Sequence, residues 1–220
     1  MSQAYCLKGT DSDNGKTFIT CALLHRARQL GLTAAGIKPV AAGTDAAGRN
    51  DDVERIRAAS NVALAEDVIN PYRFAPAIAP HLAAAEAGVR IDFARITAAC
   101  ASARSQAGLV IVEGVGGFRV PLDVDRDSAD LAVVLGLPVI LVAGLRLGCL
   151  NHALLTAEAI AARGLTLAGW VANTVDPGMA RAEDNIAALR QRLAAPLLSS
   201  VPRIAGGQPA AACLDLPPGG

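Results

Sequence analysis

Aromatic side chains are scarce in this 220-residue chain, at 3% of the sequence, although 52% of its residues are hydrophobic. The core must therefore come from Ala, Leu, Val and Ile, and the length suits one domain. An excess of charge of either sign is lacking too. Twenty Lys and Arg balance twenty Asp and Glu with no strongly basic block, so a nucleic-acid backbone is not an expected partner. No basic-then-apolar signal opens the chain. The longest uncharged stretch, Leu131 to Leu145, falls short of the roughly 20 residues that span a bilayer, and Pro138 interrupts it. A soluble, cytoplasmic protein with no membrane partner is expected. Cys6, Cys21, Cys100, Cys149 and Cys213 are odd in number and lack close-pair spacing, which favours reduced thiols over a disulfide or zinc framework.

What is present begins with Gly9-Thr10-Asp11-Ser12-Asp13-Asn14-Gly15-Lys16-Thr17. Glycines let backbone N–H groups turn inward around phosphate oxygens, Lys16 can reach the β- and γ-phosphates, and the Thr17 hydroxyl suits Mg²⁺. The usual pattern places four residues between its glycines; here there are five. The setting supports a phosphate loop all the same. Ala4 to Leu7 reads as a strand, and Phe18 to Leu30 as a helix stopped by Gly31, so phosphates would meet a helix N-terminus.

Further strands are expected at Ala34 to Val40, Leu109 to Val112, Val139 to Val142, Leu167 to Ala172 and Leu197 to Val201. Helices are expected near Asp51 to Ala59, Phe93 to Gln106, Ala129 to Leu135, Leu150 to Arg163 and Ala180 to Leu193. This alternation predicts an α/β fold with a mostly parallel sheet and helices on both faces. The Gly- and Pro-rich tail from Gly206 to Gly220 reads as loosely held.

Ligands in such folds gather beyond the carboxyl ends of the strands. Lys38 closes the second expected strand, Asp52 follows the next loop, Glu113-Gly114-Val115-Gly116-Gly117 follows the strand at 109 to 112, and Asn173 follows that at 167 to 172. Beside a phosphate loop, Lys38 can neutralise charge on a transferring phosphoryl group. Asp52 alone could be a helix-start signal. Glu113 ends an apolar strand and so calls for a cation. With Thr17, the two carboxylates form an oxygen-only set of the kind Mg²⁺ accepts.

The chain resembles the dethiobiotin synthetase family from about Tyr5 to Ile204. The likeness rests on the loop at 9 to 17, Gly-Ile-Lys-Pro-Val-Ala-Ala-Gly at 36 to 43, Asn-Pro-Tyr-Arg-Phe at 70 to 74 and Ala-Pro-His at 79 to 81. Val-Glu-Gly-Val-Gly-Gly at 112 to 117, Leu-Gly-Cys-Leu-Asn-His-Ala at 147 to 153 and Gly-Trp-Val-Ala-Asn at 169 to 173 complete it. The resemblance implies the P-loop NTPase type of fold and, through ATP and Mg²⁺, the joining of CO₂ to 7,8-diaminononanoate with closure of a cyclic urea. It implies that Lys16 and Lys38 are catalytic and that Thr17, Asp52 and Glu113 hold the metal. Nucleotide contacts follow at Asp13, Asn14, Gly15, Lys16, Thr17, Phe18, Asp52, Glu113, Gly114, Val115, Gly116, Asn173, Thr174, Pro202, Arg203 and Ile204. Substrate contacts follow at Ala42, Gly148, Cys149 and Asn151, the last three lent by the second subunit of a homodimer. Three residues depart from the family pattern: Ala42 replaces a common Ser, Asn14 a usually apolar residue, and Pro209 falls near an acidic nucleotide contact.

A partitioning ATPase of the deviant phosphate-loop type would carry its signature lysine five residues before Lys16, where Asp11 stands. Asn173-Thr174-Val175-Asp176 imitates a guanine-reading motif but has Thr174 in place of lysine, and a turn into Pro177-Gly178 accounts for it. Cys149 reads as a wall residue rather than a nucleophile, and His152 as a local packing partner.

Overall fold

The computed structural model describes residues 2–203 and 214–217. Six parallel strands form the main sheet in the order β2-β5-β1-β6-β7-β8. They are β1 (Gln3–Gly9), β2 (Ala34–Ile37), β5 (Leu109–Glu113), β6 (Val139–Leu145), β7 (Leu167–Thr174) and β8 (Leu197–Val201). Strands β5 and β6 are near-continuous Val, Ile and Leu because both their faces are covered. Tyr5 and Leu7 of β1 face helices α1 (Lys16–Gln29) and α2 (Asp51–Ala59), whereas Ala4 and Cys6 face α5 (Phe93–Gln106), α6 (Ser128–Leu135) and the end of α7 (Cys149–Ala162). A further apolar layer joins α7 to α8 (Ala182–Arg192) around the fully buried Trp170.

Local chemistry fixes the helix ends. Gly31, at φ 77°, closes α1 with a bond from Leu32 N–H to Ala27 O of 2.9 Å. The Asn50 side chain accepts from Val53 N–H to start α2, and Asp127 and Asp130 form a reciprocal cap on α6.

The run at 34 to 40, expected as one strand, divides at Lys38–Pro39. Proline has no N–H to donate, and beyond it Val40–Ala42 (β3) leaves the main sheet to pair in parallel with β4 (Tyr72–Phe74). Strand β4 and the short helices α3 (Glu66–Ile69) and α4 (Pro80–Glu86) are not anticipated from the sequence, because three to seven residues are too few to show a period. Of the tail, residues 206–213 and 218–220 lie outside the described residues; Leu214 is buried against Leu198 and Val201 in the α1-side core.

Candidate active site

The loop from β1 to α1 is fastened by strands that come much later in the chain. Asn14, only 1% exposed, donates from Nδ2 to Val142 O on β6 at 2.8 Å. Its own carbonyl accepts from Asn173 Nδ2 on β7, also at 2.8 Å. Gly15 has φ 83°, and a Cβ there would lie 2.2 Å from Asn173 Nδ2, so the position admits only glycine. The polar residue at 14 is therefore a brace for the loop. Lys16 arches back over the loop, donating to Asp11 O at 2.8 Å and to Asn14 Oδ1 at 3.3 Å.

Glu113, 1% exposed at the end of β5, draws three donors together. Thr17 Oγ1 reaches Oε1 at 2.7 Å, Thr20 Oγ1 reaches Oε2 at 2.6 Å, and Lys38 Nζ reaches Oε1 at 2.9 Å. Lys38 also pairs with Asp52, which α2 presents from its first turn. Burial by itself would lower the Lys38 pKa; Glu113 and then Asp52 outweigh it and hold the ammonium above its ordinary value. The Asp52 carboxyl sits below its ordinary value because Lys38 overcomes the opposing effect of burial, with a smaller contribution from the Thr17 hydroxyl. Lys16 behaves otherwise: burial pushes it down to about 8, against the pull of Glu113. Lys38 is thus held firmly as a cation, while Lys16 gives up its proton more readily than an ordinary lysine.

Beside the loop lies an open cleft of about 540 Å³ lined by Asp13, Gly15, Phe18, Asn173, Thr174, Pro202 and Arg203, with Arg146, Val175 and Asp176 completing it. This is room for a nucleoside next to a phosphate cradle. Residues 114–117 turn against the loop from the other side: Gly116 has φ 57°, and a Cβ on it or on Gly117 would come within 3.7 Å of Ser12 Oγ or 3.6 Å of Thr10 O. Val115 packs instead beside the cluster that contains Val40 and Tyr72.

Residues 3–210 match a protein family described as an AAA domain. The ATP-dependent dethiobiotin synthetase BioD of Aromatoleum aromaticum is 60% identical to this chain over 220 residues, covering 98% of each. The chain belongs to the dethiobiotin synthetase family. A second dethiobiotin synthetase, from Janthinobacterium sp. (strain Marseille), is 57% identical over 215 residues, covering 94% of this chain and 91% of its own. Among solved structures, the septum site-determining protein MinD complexed with Mg-ADP from Pyrococcus horikoshii aligns with a TM-score of 0.54 at 14% identity, over 92% of this chain and 82% of its own. A ParA family ATPase from Chlorobium tepidum gives 0.54 at 14% identity, over 92% and 84%. These two share the P-loop fold with the dethiobiotin synthetases, and the likeness extends no further.

The structure brings Lys16, Thr17, Lys38, Asp52 and Glu113 into one cluster and Asp13, Phe18, Asn173, Thr174, Pro202 and Arg203 around one cleft. Ile204 and Pro209 lie outside the described residues. Ala42 ends β3, half-buried, where the neighbouring Gly43 and Asn50 hold the loop through a 2.7 Å bond from Asn50 Nδ2 to Gly43 O. Gly148 opens α7 at φ 94°. The Cys149 thiol packs between α7 and α8, and its amide bonds to Arg146 O at 3.0 Å, so the expected free N–H is engaged there. The next two amides, of Leu150 and Asn151, have no backbone partner among the described residues, and Asn151 is exposed.

Sequence reasoning missed Thr20 and the Arg146–Asp11 pair. Thr20 was discoverable, since one helical turn after Thr17 it shares a face with it. Arg146 pairs across 135 residues, a separation that no local pattern reveals.

Proposed function

We propose that this protein is a cytoplasmic, ATP-dependent dethiobiotin synthetase that joins CO₂ to 7,8-diaminononanoate and closes the cyclic urea, releasing ADP and phosphate. The observation that carries the reading is near-full-length relatedness to enzymes of that name. Chemically, an amine lone pair adds to CO₂ with loss of a proton, the carbamate oxygen attacks the γ-phosphorus as ADP leaves, and the second amine displaces phosphate from the activated carbon. Negative charge grows between carbamate and γ-phosphate in the middle step. The fixed ammonium of Lys38 suits that charge, and Lys16 suits the β- and γ-phosphates.

Thr17, Asp52 and Glu113 fit Mg²⁺, a hard cation that takes oxygen ligands. No group of three His, Cys, Asp or Glu side chains among the described residues could hold a metal ion by itself, so phosphate oxygens and water would complete its shell. When bound, the ion supplies neutralisation of polyphosphate charge. Adenine would occupy the cleft lined by Asn173, Thr174, Pro202 and Arg203. The substrate carboxylate would rest on the amides of Leu150 and Asn151 and on the Asn151 side chain, at the start of α7 in the second copy of a homodimer.

The test is to incubate purified protein with Mg²⁺, ATP, bicarbonate and 7,8-diaminononanoate and to look for dethiobiotin by mass spectrometry. A folded protein that makes none overturns the assignment. Lys38→Ala should lower kcat by on the order of 100-fold or more and leave nucleotide binding intact, whereas Lys16→Ala should weaken both. Normal turnover in the Lys38 variant would remove its catalytic role.

A further inference from the structure

Strand β2 ends at Ile37, so the sheet ladder cannot hold the backbone of Lys38. A different turn does so. Lys38 N–H donates to Ile69 O at 2.8 Å, and Lys38 O accepts from Asn70 Nδ2 at 2.6 Å. Asn70 is 4% exposed, and none of the steps above employs it. Its second amide hydrogen goes to Tyr72 O at 3.0 Å, and its oxygen accepts from Arg73 Nε at 3.1 Å. Two carbonyls at one end and a guanidinium at the other leave the amide only one way to face.

Arg73 extends the arrangement. Nη1 donates to Gly48 O at 3.0 Å, in the loop that leads to the Asn50 cap and so to Asp52, while Nη2 pairs with Glu66 on α3. Asn70 and Arg73 therefore tie together the backbone segments that carry both partners of the Lys38–Asp52 pair. Every polar atom of the Asn70 side chain is satisfied, and such a buried network rigidifies what it touches.

We infer that Asn70, oriented by Arg73, is a positioning residue that sets the Lys38 ammonium at the reacting carbamate. The inference rests on the catalytic role proposed for Lys38. A plug that merely stabilised the β3–β4 pair would leave the turnover of folded enzyme alone; a positioning residue cannot. A misplacement of about 1 Å costs on the order of 100-fold in rate, so Asn70→Ala should lower kcat by about 10- to 100-fold, with KM for ATP within about twofold of the parent.

The decisive measurement is a double-variant cycle of Asn70→Ala with Lys38→Ala, scored as dethiobiotin formed per nucleotide-binding-competent molecule. If Asn70 acts through Lys38, its removal has no further effect once Lys38 is gone. An unchanged kcat in Asn70→Ala, or the same loss in both backgrounds, overturns the inference. Should Asn70→Ala fail to fold, Arg73→Gln leaves Asn70 in place without its orienting donor. It should lower kcat by about 3- to 10-fold in the parent and not at all in Lys38→Ala, and an unaffected kcat in the parent background overturns the inference equally. An inactive Lys38→Ala beside an unaffected Asn70→Ala would refute positioning alone. A fully active Lys38→Ala would refute the role of Lys38 and this inference with it.

Discussion

Lys16 and Lys38 lie at one site and respond to it in opposite ways. Lys38 has two carboxylate neighbours and keeps its proton; Lys16 is buried against backbone and amide oxygens and releases its proton near pH 8. For Lys16 the unfolded chain binds the proton more strongly than the folded one between about 8 and the ordinary 10.5, so its contribution to stability rises with pH across that window. For Lys38 the sign reverses, and the stabilisation present below the ordinary lysine value is lost as pH climbs through its raised one. Phosphate oxygens would restore the charge on Lys16. Binding of ATP should therefore take up close to one proton near pH 9 and only a small fraction of one near pH 7, on the order expected for a group moved from about 8 to well above 9. Calorimetry in buffers of different ionisation enthalpy measures this, and equal uptake at both pH values would refute it. The sequence made Lys16 and Thr17 legible because their chemistry is packed into adjacent positions. It did not make Asn14 legible as a brace, because its partners Val142 and Asn173 are 128 and 159 residues away.

Among the elements, those that read correctly were mostly long or apolar: β1 and the phosphate-loop helix, α2, the strands β5 to β8, and α5 through α8. Strand β4, α3 and α4 were invisible; Asn70 caps the end of α3 and Arg73 lies on β4. Half of the support for Lys38 was thus out of reach of periodicity. Gly36 shows how tightly α2, the carrier of Asp52, is seated. A Cβ at that position would stand 2.4 Å from Ile56 Cγ2 and 3.0 Å from Leu24 Cδ1, where α1 and α2 close over β2. Gly36→Ala must push α2 outward. Overpacking of this kind costs about 1–3 kcal/mol, which urea unfolding would register, and kcat should fall as well because Asp52 moves with its helix. A variant with parental midpoint and rate would show that the helix yields without consequence.

At the scale of the whole molecule, the proposed homodimer makes a prediction about two copies. If each site combines Lys38 of one copy with Asn151 of the other, Lys38→Ala and Asn151→Ala homodimers should both be impaired, with Asn151→Ala affecting KM for 7,8-diaminononanoate more than KM for ATP. Subunit exchange between them should restore activity. Random pairing gives about half heterodimers, each with one intact site, so recovery of about a quarter of parental activity is expected in a twofold-symmetric dimer. Mixtures no more active than the sum of their parts, or a fully active monomer by sedimentation, would place each site within a single chain. The sequence alone gives no geometric hint of such sharing; the exposed Asn151 and the 93% exposed Leu147 beside Gly148 become noticeable only on the folded surface.

The bond from Asn173 to the Asn14 carbonyl also bears on how the protein is made. A ribosome delivers Gly9 to Thr17 well before the strand that braces Asn14, which emerges some 159 residues later. The early chain carries a recognisable phosphate-binding signature without the means to hold its shape. A fragment or stalled chain that ends before β7 therefore lacks the Asn173 brace on the loop. If ATP binds only the completed fold, nucleotide would favour finished molecules over unfinished ones by mass action.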